Sequence, residues 1–163
     1  MIMMVLNKHK LKKILDSGIA GKICFAQVNS AWWRGHCYYD LWWRGTWEKE
    51  GGGPTLNHAV HHIDMLNWLE GNLPVEVMAM LTNVMHDNAE VEDLSVACLR
   101  YRDGSLAQIT SSVIHHGEKQ GITLQCANAG LSIPWKIEAE VSQKNGFPKP
   151  EGNQELVKIF VLK

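Results

Sequence analysis

The chain has 163 residues, 45% of them hydrophobic, which is enough for one domain with a buried core. Sixteen Lys and Arg against 17 Asp and Glu give a formal charge of −1, and this excludes a non-specific nucleic-acid binder, which needs a basic excess. No apolar run reaches the roughly 18 residues of a membrane span, and the charges near the N-terminus follow the short apolar stretch, the reverse of a secretory signal, so we expect a cytoplasmic protein.

The first part of the chain predicts a helix, a strand and a long aromatic loop. Residues 8–17 carry apolar side chains at helical spacing and end at Gly18, while residues 22–31 are β-branched and apolar enough for a strand. The loop over residues 32–50 contains five of the seven tryptophans and closes on three glycines. A loop with so many aromatic residues is more than a linker.

A second helix is predicted from Pro54 to Glu70, because proline fits the first turn of a helix and Gly71 fits the position after its end. Its apolar residues recur at helical spacing and predict the side that packs on the core. This predicted core stripe comprises Leu56, Ala59, Val60, Ile63, Leu66 and Asn67.

Beyond Pro74 the sequence pattern changes to strands. Asp103-Gly104 lies between two of them and predicts a hairpin closed by a two-residue primed turn, which needs positive φ. The strand over residues 94–101 is apolar on both faces, so both faces of the sheet need a cover: the helices for one, and a second subunit or another part of the protein for the other. The predicted strands cover residues 75–85, 92–101, 105–115, 120–127 and 130–134.

These elements predict a single domain over residues 1–163, because no repeat, linker or low-complexity tract divides the chain. The predicted fold class is α+β. We expect an open, mixed but predominantly antiparallel β-sheet with helices on one face and the other face available for oligomerisation.

The cysteines have no C-x-x-C spacing, and three of them fall in apolar, strand-like stretches. We therefore expect reduced and buried thiols rather than a disulfide framework. The four residues are Cys24, Cys37, Cys98 and Cys126.

The stretch GGGPTLNHAVHHID (residues 51–64) carries the most chemistry. On a helix, Asn57, His61 and Asp64 fall at i, i+4 and i+7 and share one face. A histidine there can exchange a proton near neutral pH, and the Asn57 amide can orient it or bind a hydroxyl. Two interpretations stay open at this point: a ligand-facing site, or a solvated helix face with a satisfied histidine.

The same stretch lacks the full pattern of a metal site and that of a nucleotide-binding loop. His58 and His62 have the i, i+4 spacing of two metal ligands, but Ala59 replaces the Glu of the metalloprotease motif and no third ligand follows at a known spacing, so we predict no metal site. The glycines match neither the G-x-G-x-x-G of dinucleotide-binding proteins nor a P-loop, and the chain has no nucleotide-binding motif elsewhere.

The segment WWRGHCYYDLWWRGTW (residues 32–47) interleaves indoles with arginines. Indole faces pack on apolar or C–H-rich surfaces, and arginine stacks on rings or binds carboxylate and phosphate. With only two basic residues the segment does not fit single-stranded nucleic acid. We expect some of these side chains to face a ligand and others to pin the loop to the domain.

Together these segments resemble the C-terminal domain of the Gfo/Idh/MocA family of NAD(P)-dependent oxidoreductases. The motifs that carry the resemblance are SGIAGKI (residues 17–23), the Trp/Arg loop with its Tyr-Tyr pair and WRGTW, and the glycine–Asn–His–Asp segment. Val91-Glu92-Asp93 and DGSL (residues 103–106) resemble the family's paired strands. The resemblance covers most of residues 8–150.

The resemblance implies a two-domain enzyme in which an N-terminal Rossmann domain holds NAD or NADP and the second domain binds a sugar, nucleotide sugar or cyclitol. By family roles, His61 manages the hydroxyl proton together with a lysine of the first domain, and Asn57 stands where many members carry Asp. The remaining family roles are cofactor contacts for Trp33 and Arg34, and the sugar pocket for Tyr39, Arg44 and Asp64.

The chain contains neither the Rossmann fingerprint nor the Glu-Lys-Pro motif of the family's first domain, so we expect the C-terminal half of a two-domain oxidoreductase without its dinucleotide-binding domain. We expect neither tight NAD binding nor turnover by this chain alone, because a hydride carrier must be held against the substrate. The expected partners are a small-molecule substrate and further copies of the chain, with no nucleic acid and no membrane. The alternative is a non-catalytic carbohydrate-binding or interaction module that uses the Trp/Arg loop.

Overall fold

The computed structural model describes residues 8–136, 154–155 and 158–161. The helices among them are α1 (Lys8–Asp16) and α2 (Val60–Glu70), with a short 3₁₀ turn at His36–Tyr38 and a π-helical turn at Thr55–Ala59 that leads into α2. The strands are β1 (Ile23–Trp33), β2 (Glu76–Thr82), β3 (Leu94–Arg100), β4 (Leu106–Ser112), β5 (Ile114–Cys126), β6 (Ala129–Lys136), β7 (Gln154–Glu155) and β8 (Lys158–Val161).

All described strands belong to one open sheet with the order β2–β3–β4–β1–β5–β6, and β7 and β8 both pair with β6. β1 runs parallel to β4, and the other pairings among the described strands are antiparallel. The sheet is therefore mixed and mostly antiparallel, and the predicted α+β fold class is confirmed.

One face of the sheet packs against both helices. Leu11 of α1 and Leu66 and Leu69 of α2 are at most 2% exposed and share one core cluster with the strands. At about 25 cal/mol per Å² of apolar surface, the burial of these side chains is what holds the short helices on the sheet. The strand residues of the same cluster include Ala26, Val28, Leu99, Ile109, Ile122, Leu124 and Leu131.

The opposite face of the sheet has no cover within the described chain. Directly paired residues share a face, and the register Met80–Val96–Thr110–Asn29 places these four side chains on it. We call this surface the open face; its large apolar residues are Phe25, Met78, Met80, Val96 and Leu106, exposed by 37% to 79%.

The prediction of buried thiols is wrong for this chain. Cys24, Cys37 and Cys98 are exposed and Cys126 is half-buried. Cys98 pairs with Met78 and lies on the open face, where the apolar character of the strand does not imply burial.

The predicted core stripe of the second helix is partly wrong. Ala59 and Leu66 are buried as predicted, but Leu56 and Val60 are 51% and 39% exposed. The π-helical turn at Thr55–Ala59 changes the helical register before α2 begins, so one 3.6-residue period does not describe the whole segment.

The Asp103-Gly104 hairpin is present between β3 and β4, with a different turn from the one predicted. Tyr101 N–H donates to Ser105 and Gly104 N–H donates to Tyr101. Only Gly104 of the pair has a positive φ, so the loop has three residues and a glycine bulge rather than a two-residue primed turn. The predicted strand 75–85 ends earlier, at Thr82, and no helix in the described ranges is long and apolar enough to cross a membrane.

Candidate functional site

The end of β1 is crossed by the chain as it passes from β4 to β5. β4 and β5 flank β1, and the single residue Val113 links the end of β4 to the start of β5. Arg34 N–H donates to the Val113 carbonyl (2.7 Å), and Val113 N–H donates to the Asp93 carbonyl (2.9 Å). The crossing fixes the backbone from which the Trp/Arg loop departs.

β5 carries a large bulge opposite the end of β1. The register jumps from Ala31–Lys119 to Trp33–Ile114, so residues 115–118 face Trp32 alone. Gly117 has φ +72° within this bulge. Such bulges re-aim side chains and occur frequently next to functional sites.

Two arginines and several rings of the Trp/Arg loop form a packed cluster. The Arg44 guanidinium lies 4.2 Å from the ring centroids of both Tyr38 and Trp43, and its Nη1 donates to Glu50 (2.7 Å). Arg34 lies over Trp32 and Tyr38 at 5.5 and 5.3 Å. Burial lowers the pKa of Arg34 and raises that of Tyr38. These contacts pin the loop to the domain.

The other predicted residues of this loop differ in exposure. Tyr39 is 6% exposed, and burial raises the pKa of its phenol. Trp33 is half-buried and stacks on His116 with centroids 4.0 Å apart and planes at 18°. The structure thus brings Trp33, Arg34, Tyr39 and Arg44 into one region, with Arg34 and Tyr39 on its inside.

The π-helical turn before α2 is held by a carboxylate from outside the helix. Glu92 accepts hydrogen bonds from Gly53 N–H (2.9 Å) and Thr55 N–H (3.2 Å), and the Thr55 hydroxyl lies 2.6 Å from that of Ser95. A negative charge at this end of a helix is favourable because the first N–H groups have no partner in the helix. Glu92 supplies the cap that the local sequence lacks.

His58 is the histidine of the motif that contacts the Trp/Arg loop. Its ring contacts Trp32 edge-on at 4.4 Å. The pKa of His58 is lowered to about 4, mainly by burial and to a smaller extent by the positive charges of Arg34 and Arg44. Burial also lowers the pKa of His62 to about 4. Both imidazoles are therefore neutral at pH 7 and do not serve as proton exchangers there.

His61 and Asp64 lie on the exposed side of α2. Both line an open cavity of about 410 Å³ that runs between α2 and the start of α1. Its other lining residues are Lys8, His9, Met65 and Trp68. Of the three histidines in the motif, His61 is the exposed one, and it is the one that solvent or a bound molecule can reach.

Asn57 does not line the cavity that His61 and Asp64 share. It is half-buried within the π-helical turn, and its amide donates to the Gly52 carbonyl (2.8 Å). The i, i+4 geometry that the sequence predicts for Asn57 and His61 assumes a regular helix, and the π-helical turn replaces it. The structure therefore joins His61 with Asp64, and Asn57 with the glycine-rich entry.

A buried pair, His86 and Asp93, supports the backbone of the Trp/Arg loop from below. The His86 ring lies 3.0 Å from the Asp93 carboxylate through Nδ1 and 2.9 Å from the Arg34 carbonyl through Nε2. Asp93 also accepts from the N–H groups of Val84, Met85 and His86. The His86 ring is therefore held at both nitrogens, by the Asp93 carboxylate on one side and by the Arg34 carbonyl on the other.

Several residues of this region were missed by sequence reasoning. The adjacent acids Glu92 and Asp93 had a signal, since they directly follow a turn-rich segment and precede a strand. Gly117 inside an otherwise strand-like run was the signal for the β5 bulge. Within the described residues no three His, Cys, Asp or Glu side chains are grouped as a metal site would require.

Comparison with known proteins places this geometry among oxidoreductases. Residues 9–132 match the family model described as GFO/IDH/MocA C-terminal domain. A curated relative, 2,7-anhydro-N-acetylneuraminate hydratase of Mediterraneibacter gnavus, is 22% identical over 147 residues, which are 88% of this chain and 37% of the relative.

Solved structures of similar fold include two dehydrogenases with bound ligands. WlbA of Bordetella pertussis, in complex with NADH and UDP-GlcNAcA, has a TM-score of 0.71 and 31% identity over 77% of this chain and 38% of its own. WlbA of Chromobacterium violaceum, with the same two ligands, has a TM-score of 0.71 and 27% identity over 88% of this chain and 41% of its own. The chain spans about two-fifths of the length of these relatives.

Proposed function

This chain belongs to the GFO/IDH/MocA oxidoreductase family by its C-terminal domain, and we propose that it is the substrate-binding and oligomerisation domain of an NAD(P)-dependent dehydrogenase. The substrate class is a sugar, nucleotide sugar or cyclitol. Two similar structures contain NADH and UDP-GlcNAcA, which supports this class. The chain acts together with a dinucleotide-binding domain and does not turn over NAD alone.

The observation that carries the proposal is the exposure of His61 beside an open cavity on the helical side. A group that manages the proton of a substrate hydroxyl must be reachable, and His58 and His62 are unsuited because burial keeps them neutral. His61 accepts or returns the hydroxyl proton at a ring nitrogen, and Asp64 shapes the same cavity. Asn57 fixes the glycine-rich entry to the helix through its hydrogen bond to Gly52.

In this proposal, the residues of this chain contact only the nicotinamide ring of the cofactor, and not its phosphates. The chain has no phosphate-binding glycine motif, so another domain would hold the dinucleotide, and a bound nicotinamide would supply the hydride acceptor. Trp33 and Arg34 are the proposed cofactor-facing pair, with the half-buried indole as the reachable member. Tyr39 and Arg44 are the proposed sugar-pocket residues of the packed cluster, and they do not line the cavity beside His61.

The open face supports the oligomerisation part of the proposal. Its exposed apolar residues form a contiguous surface across four strands, and such a surface on a sheet normally packs against another protein surface. We assign it to a second copy of this chain. The exposed thiols of Cys24 and Cys98 fit a reducing compartment, and we place the protein in the cytoplasm.

The alternative, a carbohydrate-binding module, is favoured by one observation: Trp42 and Trp47 are 79% and 55% exposed on the same loop. One experiment separates the two functions. Binding of UDP-GlcNAcA to the 163-residue chain is followed by saturation-transfer NMR in His61→Ala and in Trp42→Ala. Loss of the signal in His61→Ala alone supports the dehydrogenase domain, whereas loss in Trp42→Ala alone supports the module.

A further inference from the structure

Strand β2 is an edge of the sheet that no described segment covers. It pairs with β3 on one side, and its other side has no strand partner among the described residues. All of its residues are exposed, and the large apolar ones are exposed by 53% to 79%. They are Val77, Met78, Met80 and Leu81. The backbone N–H and C=O groups along such an edge can pair with a further strand.

β2 lacks the features that normally keep an edge strand from pairing. Protected edge strands are short, bulged, or interrupted by proline or by charged residues, especially lysine. β2 has seven residues in an unbroken register with β3, and it contains no proline and no lysine. Its one charged residue, Glu76, stands at the first position and is paired with Arg100. The edge is therefore suited to pairing with another strand.

The sequence of β2 is complementary to itself when two copies run antiparallel about Ala79. In this register the apolar residues of one copy face those of the other. The facing positions are Ala79 with Ala79, Met78 with Met80, and Val77 with Leu81. The charged Glu76 faces Thr82 of the second copy, so no like charges lie opposite each other. The occupant that fits this edge is a second copy of the same strand.

We propose that β2 pairs with β2 of a second copy across a two-fold axis at Ala79, and that this pairing joins two open-face dimers into a tetramer. The inference rests on the proposed function, because the open-face dimer is its unit. The two-fold axis of the edge pairing is perpendicular to the sheet, whereas the axis that relates two sheets packed face to face is parallel to them. Two such axes that cross at right angles generate a closed tetramer.

The edge pairing is too small to hold two chains together on its own. A lone pair of strands is marginal in water, so a chain whose open face is blocked stays monomeric. Each open-face dimer presents two β2 edges, and once one edge has paired, the second pairing is intramolecular. Met78 and Met80 of β2 also belong to the open face, so the two interfaces are continuous.

Ala79 separates the two interfaces experimentally, because its side chain lies on the face opposite to Met78 and Met80. Ala79 is exposed and pairs with Ala97, which packs against the core on the helical side. Ala79→Lys therefore places like charges opposite each other in the edge pairing and leaves the open face unchanged. Ala79→Glu does the same with the opposite sign.

Sedimentation velocity of the full chain measures the assembly. The wild type is expected to be a tetramer, and Ala79→Lys and Ala79→Glu are each expected to be dimers. Ala127→Lys, the same change at an exposed alanine between β5 and β6, is the matched control and keeps the tetramer. An equimolar mixture of Ala79→Lys and Ala79→Glu is expected to restore the tetramer, because lysine then faces glutamate across the axis.

The mixture distinguishes loss of pairing from loss of folding, since two misfolded variants would not restore each other. A mixture that stays dimeric contradicts the pairing about Ala79. A dimeric wild type that Ala79→Lys leaves unchanged overturns the edge pairing, while the open-face dimer of the proposed function stands. A monomeric wild type contradicts both interfaces.

Discussion

The buried pair of His86 and Asp93 shows how single residues hold the region around the Trp/Arg loop. Their side chains are 0% and 1% exposed, and every polar side-chain atom of the pair has a partner in the 83–93 segment or in Arg34. A hydrogen-bonded polar pair that is buried in this way stabilises the fold only while both members are present.

We predict that Asp93→Ala destabilises the chain by about 3 to 5 kcal/mol, because the His86 ring and three backbone N–H groups lose their buried acceptor. Urea unfolding at pH 7 measures the loss. Asp87→Ala, whose side chain is 92% exposed, is the control and stays within about 0.5 kcal/mol of the wild type. A loss below about 1 kcal/mol in Asp93→Ala would contradict the assignment.

Gly53 lies at a position where no side chain fits. A Cβ at this position would lie 1.9 Å from the Glu92 carbonyl oxygen, and that oxygen belongs to backbone that cannot rotate away. Gly53→Ala is therefore expected to cost about 1 to 3 kcal/mol. Gly35→Ala, where the nearest atom is the Cys37 Sγ at 3.9 Å, is the matched control and is expected to be neutral. Equal stability of the two variants, measured by thermal unfolding, would show that Glu92 can shift.

Glu70, the last residue of α2, has its carboxyl group where burial makes ionisation unfavourable. The Glu70 Oε1 is buried without a hydrogen-bond partner among the described residues. Burial, and then the charge of Asp103, raise the pKa of Glu70 to about 7. The folded state therefore binds the proton more tightly than the unfolded state, and the stability of the fold decreases as the pH rises from about 4.5 through 7.

We predict that Glu70→Gln stabilises the chain at pH 8 by about 1 to 2 kcal/mol and has almost no effect at pH 4. The amide cannot ionise, so it avoids the cost that the wild type meets above the folded-state pKa. Urea unfolding at both pH values measures the difference. Glu76→Gln, at a 65% exposed carboxylate paired with Arg100, is the control and shows no such pH dependence. A stabilisation of the same size at pH 4 would point to packing instead of charge.

The elements themselves were largely predictable, while their irregular parts were not. The α1 helix, β1, the helix ending at Gly71 and the β3–β4 hairpin follow from periodicity, turn residues and a glycine with positive φ. The π-helical turn depends on Glu92, which is distant in sequence, and the register of Asn57 and His61 changes with it. The β5 bulge depends on pairing with β1, and only Gly117 signals it locally. Long-range contacts decide both features, and a local pattern cannot contain them.

For the chain as a whole, contacts through the open face decide whether the protein is a monomer or an oligomer. Val96 lies inside it, 43% exposed, between Met80 and Thr110 in register. We predict that the wild type is a dimer or larger and that Val96→Lys shifts it to monomer, because a charge cannot be buried there without a partner. Sedimentation velocity measures the mass. Val84→Lys, at a 64% exposed loop position outside the sheet, is the control and keeps the wild-type assembly. A monomeric wild type would contradict the assignment of this face.

The proposed activity depends on the exposed imidazole of His61, which acts once a dinucleotide-binding domain is present. The most direct measurement joins this chain to the remaining part of the Bordetella WlbA chain, of which it matches 38%, and follows NADH formation from NAD⁺ with UDP-GlcNAcA. His61→Ala is expected to lower kcat by about 10² to 10⁴, the contribution of a general acid–base group, while His115→Ala keeps the wild-type rate. An active joined protein in which His61→Ala turns over as fast as the wild type would contradict the account.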